Sequence, residues 1–231
     1  MRVVVGVLAS VLTSVATAAA PSGAPVIHDT PIRYDQERIA LTIAYRKAHQ
    51  DPDAADQKIT PRAIVIHYTG GQSRKASFAY FDRLRMEAAR KLQADAGEVN
   101  VSAHFLVDRD GTIYRLVPED WMARHCIGLN HLAIGIENVG DGDAYPLTDA
   151  QLHADAALVR DLVARHPSID TLLGHHEYRR MEGHAYWLEH DPKYRNQKPD
   201  PGASFMKRLR AEVSDLKLAE PPPPAKEKHR P

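Results

Sequence analysis

The 231-residue chain has a single cysteine, Cys126, so it can build no disulfide framework of its own. It has no excess of either charge, with 30 Lys+Arg against 30 Asp+Glu. That balance excludes a polybasic nucleic-acid binder and an acidic tail protein, because no net field exists to draw a phosphate backbone. Aromatic residues are scarce at 6%, so any core must rest on aliphatic side chains. Past the first residues no apolar run approaches the roughly 20 residues that cross a bilayer. The hydrophobic share, 43%, is nonetheless ordinary for a folded chain.

What is present begins with Met1-Arg2, an apolar stretch over residues 3–15 and small residues up to Ala20. A short positive start, an apolar segment of this size and an A-x-A-like site read as a signal peptide over residues 1–20, with cleavage best placed after Ala18. Export to the periplasm or the exterior is the expectation. No cysteine follows that stretch to carry a lipid, so no membrane anchor is expected.

The rest divides by pattern. Residues 21–58 read as a linker and a helix over 36–49. Residues 62–67 form a β-branched apolar run, the signature of a strand buried on both faces. Apolar steps of three and four from Phe78 to Leu92 predict one helix over 77–94. Two strands, 101–107 and 112–117, flank an Asp110-Gly111 turn. Another strand covers 133–139, and a helix over 148–166 opens with Thr148 and Gln151 in capping-box positions. A short strand at 171–173 leads into a long polar loop over 177–201 and a closing helix over 203–218. The Pro-rich tail, 219–231, is expected to be disordered. Strands interleaved with helices predict one α/β domain over 59–218, a mixed sheet flanked by helices.

Chemistry-bearing residues gather at strand ends. His67 closes an apolar strand, His175 follows the strand Thr171-Leu172-Leu173-Gly174, and Asp200 sits in the turn Lys198-Pro199-Asp200-Pro201-Gly202. Two imidazoles and a carboxylate form a catalytic zinc set that leaves the fourth position open. Glu137 interrupts the apolar strand Ile134-Gly135-Ile136. A carboxylate there must be paired, face an opening or be protonated. A salt bridge from a neighbouring helix and a general base beside a metal site both satisfy that requirement.

These segments, taken in order, resemble the zinc-dependent N-acetylmuramoyl-L-alanine amidases, which share their fold with peptidoglycan recognition proteins and phage lysozyme-type amidases. The pieces are IVIHYTGG, VSAHFLVDRDGTIYRLVPE, LNHLAIGIENVG, LLGHHEY and KPDPG, spread over residues 59–209. The resemblance implies that fold, a zinc cofactor and a peptidoglycan or muropeptide substrate. It maps His67, His175 and Asp200 onto the zinc ligands, Glu137 onto the residue that takes the water's proton, and Lys198 onto the cation beside the tetrahedral intermediate. It places His125 near the substrate cleft.

Some choices stay open at this level. His175 is preferred to His176 only because Gly174-His175 matches the family's Gly-His pair. Asp200 lies 25 positions after His175, farther than in compact relatives, and the loop between them holds His184, His190 and Asp191 as rival ligands. Tyr186, Trp187 and Tyr194 in that loop either wall a substrate groove or pack the loop down. A non-catalytic peptidoglycan-binding module and a zinc peptidase acting on the stem peptide are the alternative functions.

Overall fold

A computed structural model describes residues 23–224. The expected signal peptide lies outside the described residues. The elements run β1 (Ile27–Asp29), α1 (Gln36–His49), β2 (Ala63–Tyr68), α2 (Arg74–Asp82), α3 (Lys91–Asp95), β3 (Phe105–Val107), β4 (Ile113–Arg115), β5 (Ala133–Asn138), α4 (Asp149–Arg165), β6 (Thr171–Gly174) and α5 (Ala203–Glu212). Short 3-10 turns cover His175–Met181 and Ser214–Leu216.

The six strands form one mixed sheet in the order β1-β4-β3-β5-β2-β6, with only the β3–β4 pair antiparallel. The central strands β2 and β5 are buried on both faces, as their apolar runs predict. Alternation along each strand sorts the side chains. Ile64, Ile66, Ile134 and Ile136 face a core completed by Leu158, Leu162 and Met206 from α4 and α5. Ala63, Val65, Ala133 and Leu173 face the opposite core, which holds Tyr45 of α1 together with Tyr178 and Tyr194. Thr148 caps α4 with the expected capping box to Gln151.

Four expectations are corrected. The supposed linker contains β1, which pairs in parallel with β4 as an edge strand. The predicted helix over 77–94 splits into α2 and α3. The buried guanidinium of Arg38 donates to the carbonyls of Phe81, Asp82 and Arg83 at 3.1, 3.1 and 2.6 Å, capping the end of α2 with tertiary hydrogen bonds. The closing helix stops at Glu212. The tail is docked over its first residues rather than disordered from 219. Ala219 bridges to Thr171 at the β6 edge, and Arg180 donates to the carbonyls of Pro221 and Pro222, each at 2.6 Å. An exposed strand edge offers unpaired backbone groups, and this segment satisfies them.

Candidate active site

Parallel register does most of the assembly. His67 on β2 is paired directly with Glu137 on β5. On its other side β2 runs beside β6, with Val65 opposite Leu173 and Ile66 opposite Gly174, and His175 follows as the first residue of the 3-10 turn. His67 and Glu137 therefore stand side by side near the carboxyl ends of β2 and β5, and His175 joins the row just past the carboxyl end of β6. That is where open α/β sheets carry their ligands. His67 and Glu137 sit at positions of the same parity as Val65 and Gly135, so they share the α1 face of the sheet, and His175 meets His67 there.

Asp200 reaches this row from the long segment after β6. Its carbonyl accepts from the His176 backbone N–H at 2.7 Å and lies 3.2 Å from His176 Nδ1. His176 turns away from the row: its ring and the Met206 side chain both crowd the side-chain position of Gly174. The choice between the two adjacent histidines therefore falls to His175.

His67 Nδ1 lies 2.9 Å from His175 Nδ1 and 3.2 Å from Asp200 Oδ2, and His175 Nδ1 lies 2.9 Å from the same oxygen. The three residues are 1%, 4% and 6% exposed. Among the described residues they are the group of three His, Cys, Asp or Glu side chains close enough to share a metal ion. The fit is good. A tetrahedral ion with bonds of about 2.0–2.1 Å spans donor pairs about 3.3 Å apart. Two imidazole nitrogens aimed at one another also demand a cation or a proton between them. Burial drives His175 down to about 3, which leaves it neutral. Burial opposes ionisation of Asp200, but the His175 and His67 rings beside it outweigh that and hold the carboxyl well below the usual range. Neutral imidazoles and an ionised carboxylate are the forms a metal requires. His184, His190 and Asp191 lie outside the cluster.

Glu137 lines a cleft of about 310 Å³ shared with Tyr68, Tyr80, Arg90, Lys198 and Asp200. Desolvation raises its carboxyl to about 7, against the pull of His67, Lys198 and Arg90. Its Oε2 is buried without a partner, so no salt bridge explains this carboxylate. Arg90, which the sequence analysis did not single out, lines the cleft with Nη1 2.8 Å from the Tyr80 hydroxyl.

Of the two expected substrate contacts, His125 is at the cleft as expected and Trp187 is elsewhere. His125 lines the cleft, but its Nδ1 lies 3.1 Å from His67 Nε2 and its Nε2 3.0 Å from the Ala133 carbonyl, so neither ring nitrogen is free for substrate. Trp187 is absent from the cleft wall. It lies over Gly128, where an added Cβ would come within 2.6 Å of the indole, and stacks near Tyr178 with Arg195 4.8 Å from its ring. Tyr194 is buried beneath, against Arg124 and Tyr45. The loop aromatics pack the insert down. Cys126 is buried, and burial pushes its thiol up, which rules out a ready thiolate nucleophile.

A family model described as N-acetylmuramoyl-L-alanine amidase matches residues 56–203. The 1,6-anhydro-N-acetylmuramyl-L-alanine amidase AmpD of Salmonella typhimurium (strain SL1344) is 33% identical over 140 residues, covering 55% of this chain and 73% of that protein. Peptidoglycan-recognition protein SC2 of Drosophila melanogaster is 29% identical over 129 residues, covering 54% of this chain and 70% of its own. Among solved structures, the endolysine N-acetylmuramoyl-L-alanine amidase LysCS from Clostridium intestinale URNW superimposes with a TM-score of 0.54 at 22% identity. That match covers 84% of this chain and 99% of the other, and it shows the shared fold.

Proposed function

This chain belongs to the N-acetylmuramoyl-L-alanine amidase family and is a peptidoglycan amidase; from that premise we propose that it works with zinc, cleaving the amide between N-acetylmuramic acid and L-alanine. The observation that carries the reading is the row of His67, Glu137 and His175, with Asp200 closing the donor triangle.

In this reading His67 and His175 would hold the metal through Nδ1 and Asp200 through one carboxylate oxygen. When bound, zinc supplies Lewis-acid charge that polarises the scissile carbonyl and acidifies water beside it. Glu137 takes the proton from the attacking water and returns it to the leaving amine of L-alanine. A carboxyl raised to about 7 exchanges protons readily in both directions near neutral pH. Lys198 sets a cation where negative charge develops on the carbonyl oxygen. The cleft walls, Tyr68, Tyr80 and Arg90 among them, position the muropeptide.

Digestion of purified sacculi and of soluble muropeptides, side by side, tests this. Intact stem peptides beginning at L-alanine are expected, with activity lost to a chelator and restored by zinc. Free amino acids or shortened peptides mean a peptidase, and bound muropeptide without turnover means a binding module. Comparing the two substrates also decides between polymeric wall and soluble fragments. The apolar N-terminal segment supports export, which cell fractionation with an N-terminal sequence of the mature chain checks.

A further inference from the structure

We propose that His125 is a positioning residue that fixes the tautomer of His67, keeping its Nδ1 free of hydrogen and aimed at the donor triangle. The inference rests on the reading of His67 as a metal ligand and assigns a partner to that ligand's other nitrogen.

The assignment follows from donor and acceptor counting. The Ala133 carbonyl can only accept, so His125 Nε2, 3.0 Å away, carries the hydrogen. A neutral imidazole has one N–H, which leaves His125 Nδ1 as an acceptor. His67 Nε2, 3.1 Å from that acceptor, therefore donates to it. With a ring hydrogen of His67 used on Nε2, Nδ1 is the nitrogen left to face His175 and Asp200. One backbone carbonyl thus specifies the tautomers of two rings in series. A metal-bound imidazole generally needs such an acceptor behind it.

The competing arrangement is close at hand. Asp200 Oδ2 lies 3.2 Å from His67 Nδ1, and an ionised carboxylate draws a hydrogen toward itself. Without His125, a hydrogen on Nδ1 would bond Asp200, and His67 would become a donor where the site needs a ligand.

The surroundings hold His125 to this position. A Cβ at Gly135 would lie 2.7 Å from the His125 ring, so the missing side chain in the middle of β5 is the space the ring fills. The backbone N–H groups of His125 and Cys126 both donate to Asn130 Oδ1, at 2.8 and 2.7 Å, which fixes the turn carrying the ring. His104 meets the ring edge-on at 5.7 Å, and its own Nδ1 accepts from the Gly135 N–H at 3.0 Å.

Ring-nitrogen NMR shifts of His67 in the metal-free, full-length protein read the tautomer directly, and chelator competition reads zinc affinity. In the unaltered protein, the hydrogen of His67 is expected on Nε2. His125→Phe keeps a ring and removes the acceptor. It should move the hydrogen to Nδ1 and weaken zinc binding by about 10–100-fold. His125→Asn, whose side-chain oxygen can stand near the lost Nδ1, should recover most of that affinity. Gly135→Ala, which displaces the ring without touching His67, should weaken binding in the same direction. An Nε2-protonated His67 with unaltered zinc affinity in His125→Phe, or wild-type affinity in Gly135→Ala, overturns the proposal. If the unaltered protein binds no zinc, the metal reading fails, and the His67 shifts in the two His125 variants still decide whether His125 sets the tautomer.

Discussion

The proposed active site joins two halves built by different means. One half is the row of His67, Glu137 and His175, placed by strand register and by alternation along β2, β5 and β6. The other is Asp200 and Lys198, delivered by a long segment with little regular structure. The row hangs on backbone ladders between fully buried strands, so its geometry is shared among many hydrogen bonds. The segment hangs on a few side chains. Arg124 donates to the carbonyls of Gln93, Gly97 and Val99 and to the Tyr194 hydroxyl, at 2.6–2.9 Å. The Tyr178 hydroxyl donates to the Asn196 carbonyl at 2.6 Å, and the covered side chain of Glu189 pairs with His49 at 2.8 Å. A candidate ligand on a strand is thus protected by redundancy, while one on the insert depends on single residues well away from the candidate site.

The largest effects come from the site itself, where both halves should prove equally necessary. Glu137→Gln should keep its zinc while turnover falls by about 100–10,000-fold, the usual worth of a general base. Metal analysis beside a turnover assay checks this, and turnover near the original level would remove Glu137 from the mechanism. His67→Ala and Asp200→Ala should each lose the metal, and a full zinc complement in either would place the site elsewhere.

The halves should part company when their supports are altered. Arg124→Met leaves three carbonyls without a donor and should cost about 2–4 kcal/mol, read as a shifted denaturant midpoint. Limited proteolysis should then cut first within the insert, residues 177–201. Cleavage appearing first in the β2–β5 region would reverse the comparison.

Beneath the row, the test is one of pH. Asp155 on α4 is buried and accepts from Asn138 Nδ2 at 2.9 Å, and Asn138 also reaches the His67 carbonyl at 3.3 Å. Burial pushes Asp155 up to about 8, against that hydrogen bond. A raised carboxyl holds its proton more tightly folded than unfolded. Its contribution to stability is therefore complete below the ordinary carboxyl range and is lost as pH rises through about 8. Asp155→Asn should flatten that decline, gaining stability relative to the parent as pH increases; denaturation series at several pH values check it, and parallel curves would refute it.

The smallest effect concerns the docked tail. Ending the chain after Leu218 removes the Ala219 bridge to β6 and the partners of Arg180, and should cost about 1–2 kcal/mol by loss of a few net hydrogen bonds. A thermal melt measures the cost. An unchanged melting temperature would mean that the β6 edge needs no cover.

Much of the site was legible because strand chemistry is local. The run Ala63-Ile64-Val65-Ile66-His67 announces a buried strand ending in a polar group, and Glu137 stands out in an apolar strand for the same reason. The end of α2 was not legible, because Arg38, far off in the chain, caps its last carbonyls. The roles of His125 and Trp187 were hidden similarly, since each depends on a glycine, Gly135 or Gly128, whose empty side-chain position is filled from another part of the chain.

Apolar periodicity and the placement of a few histidines and acids were enough to determine the kind of fold and the row at its strand ends, since alternation and helix period are properties of neighbours in the chain. Only the folded chain decided which donors converge, how the insert is held and what stands behind His67. Those depend on contacts between residues such as His67 and Asp200, 133 positions apart, and a distance in space between such residues has no local signature in sequence.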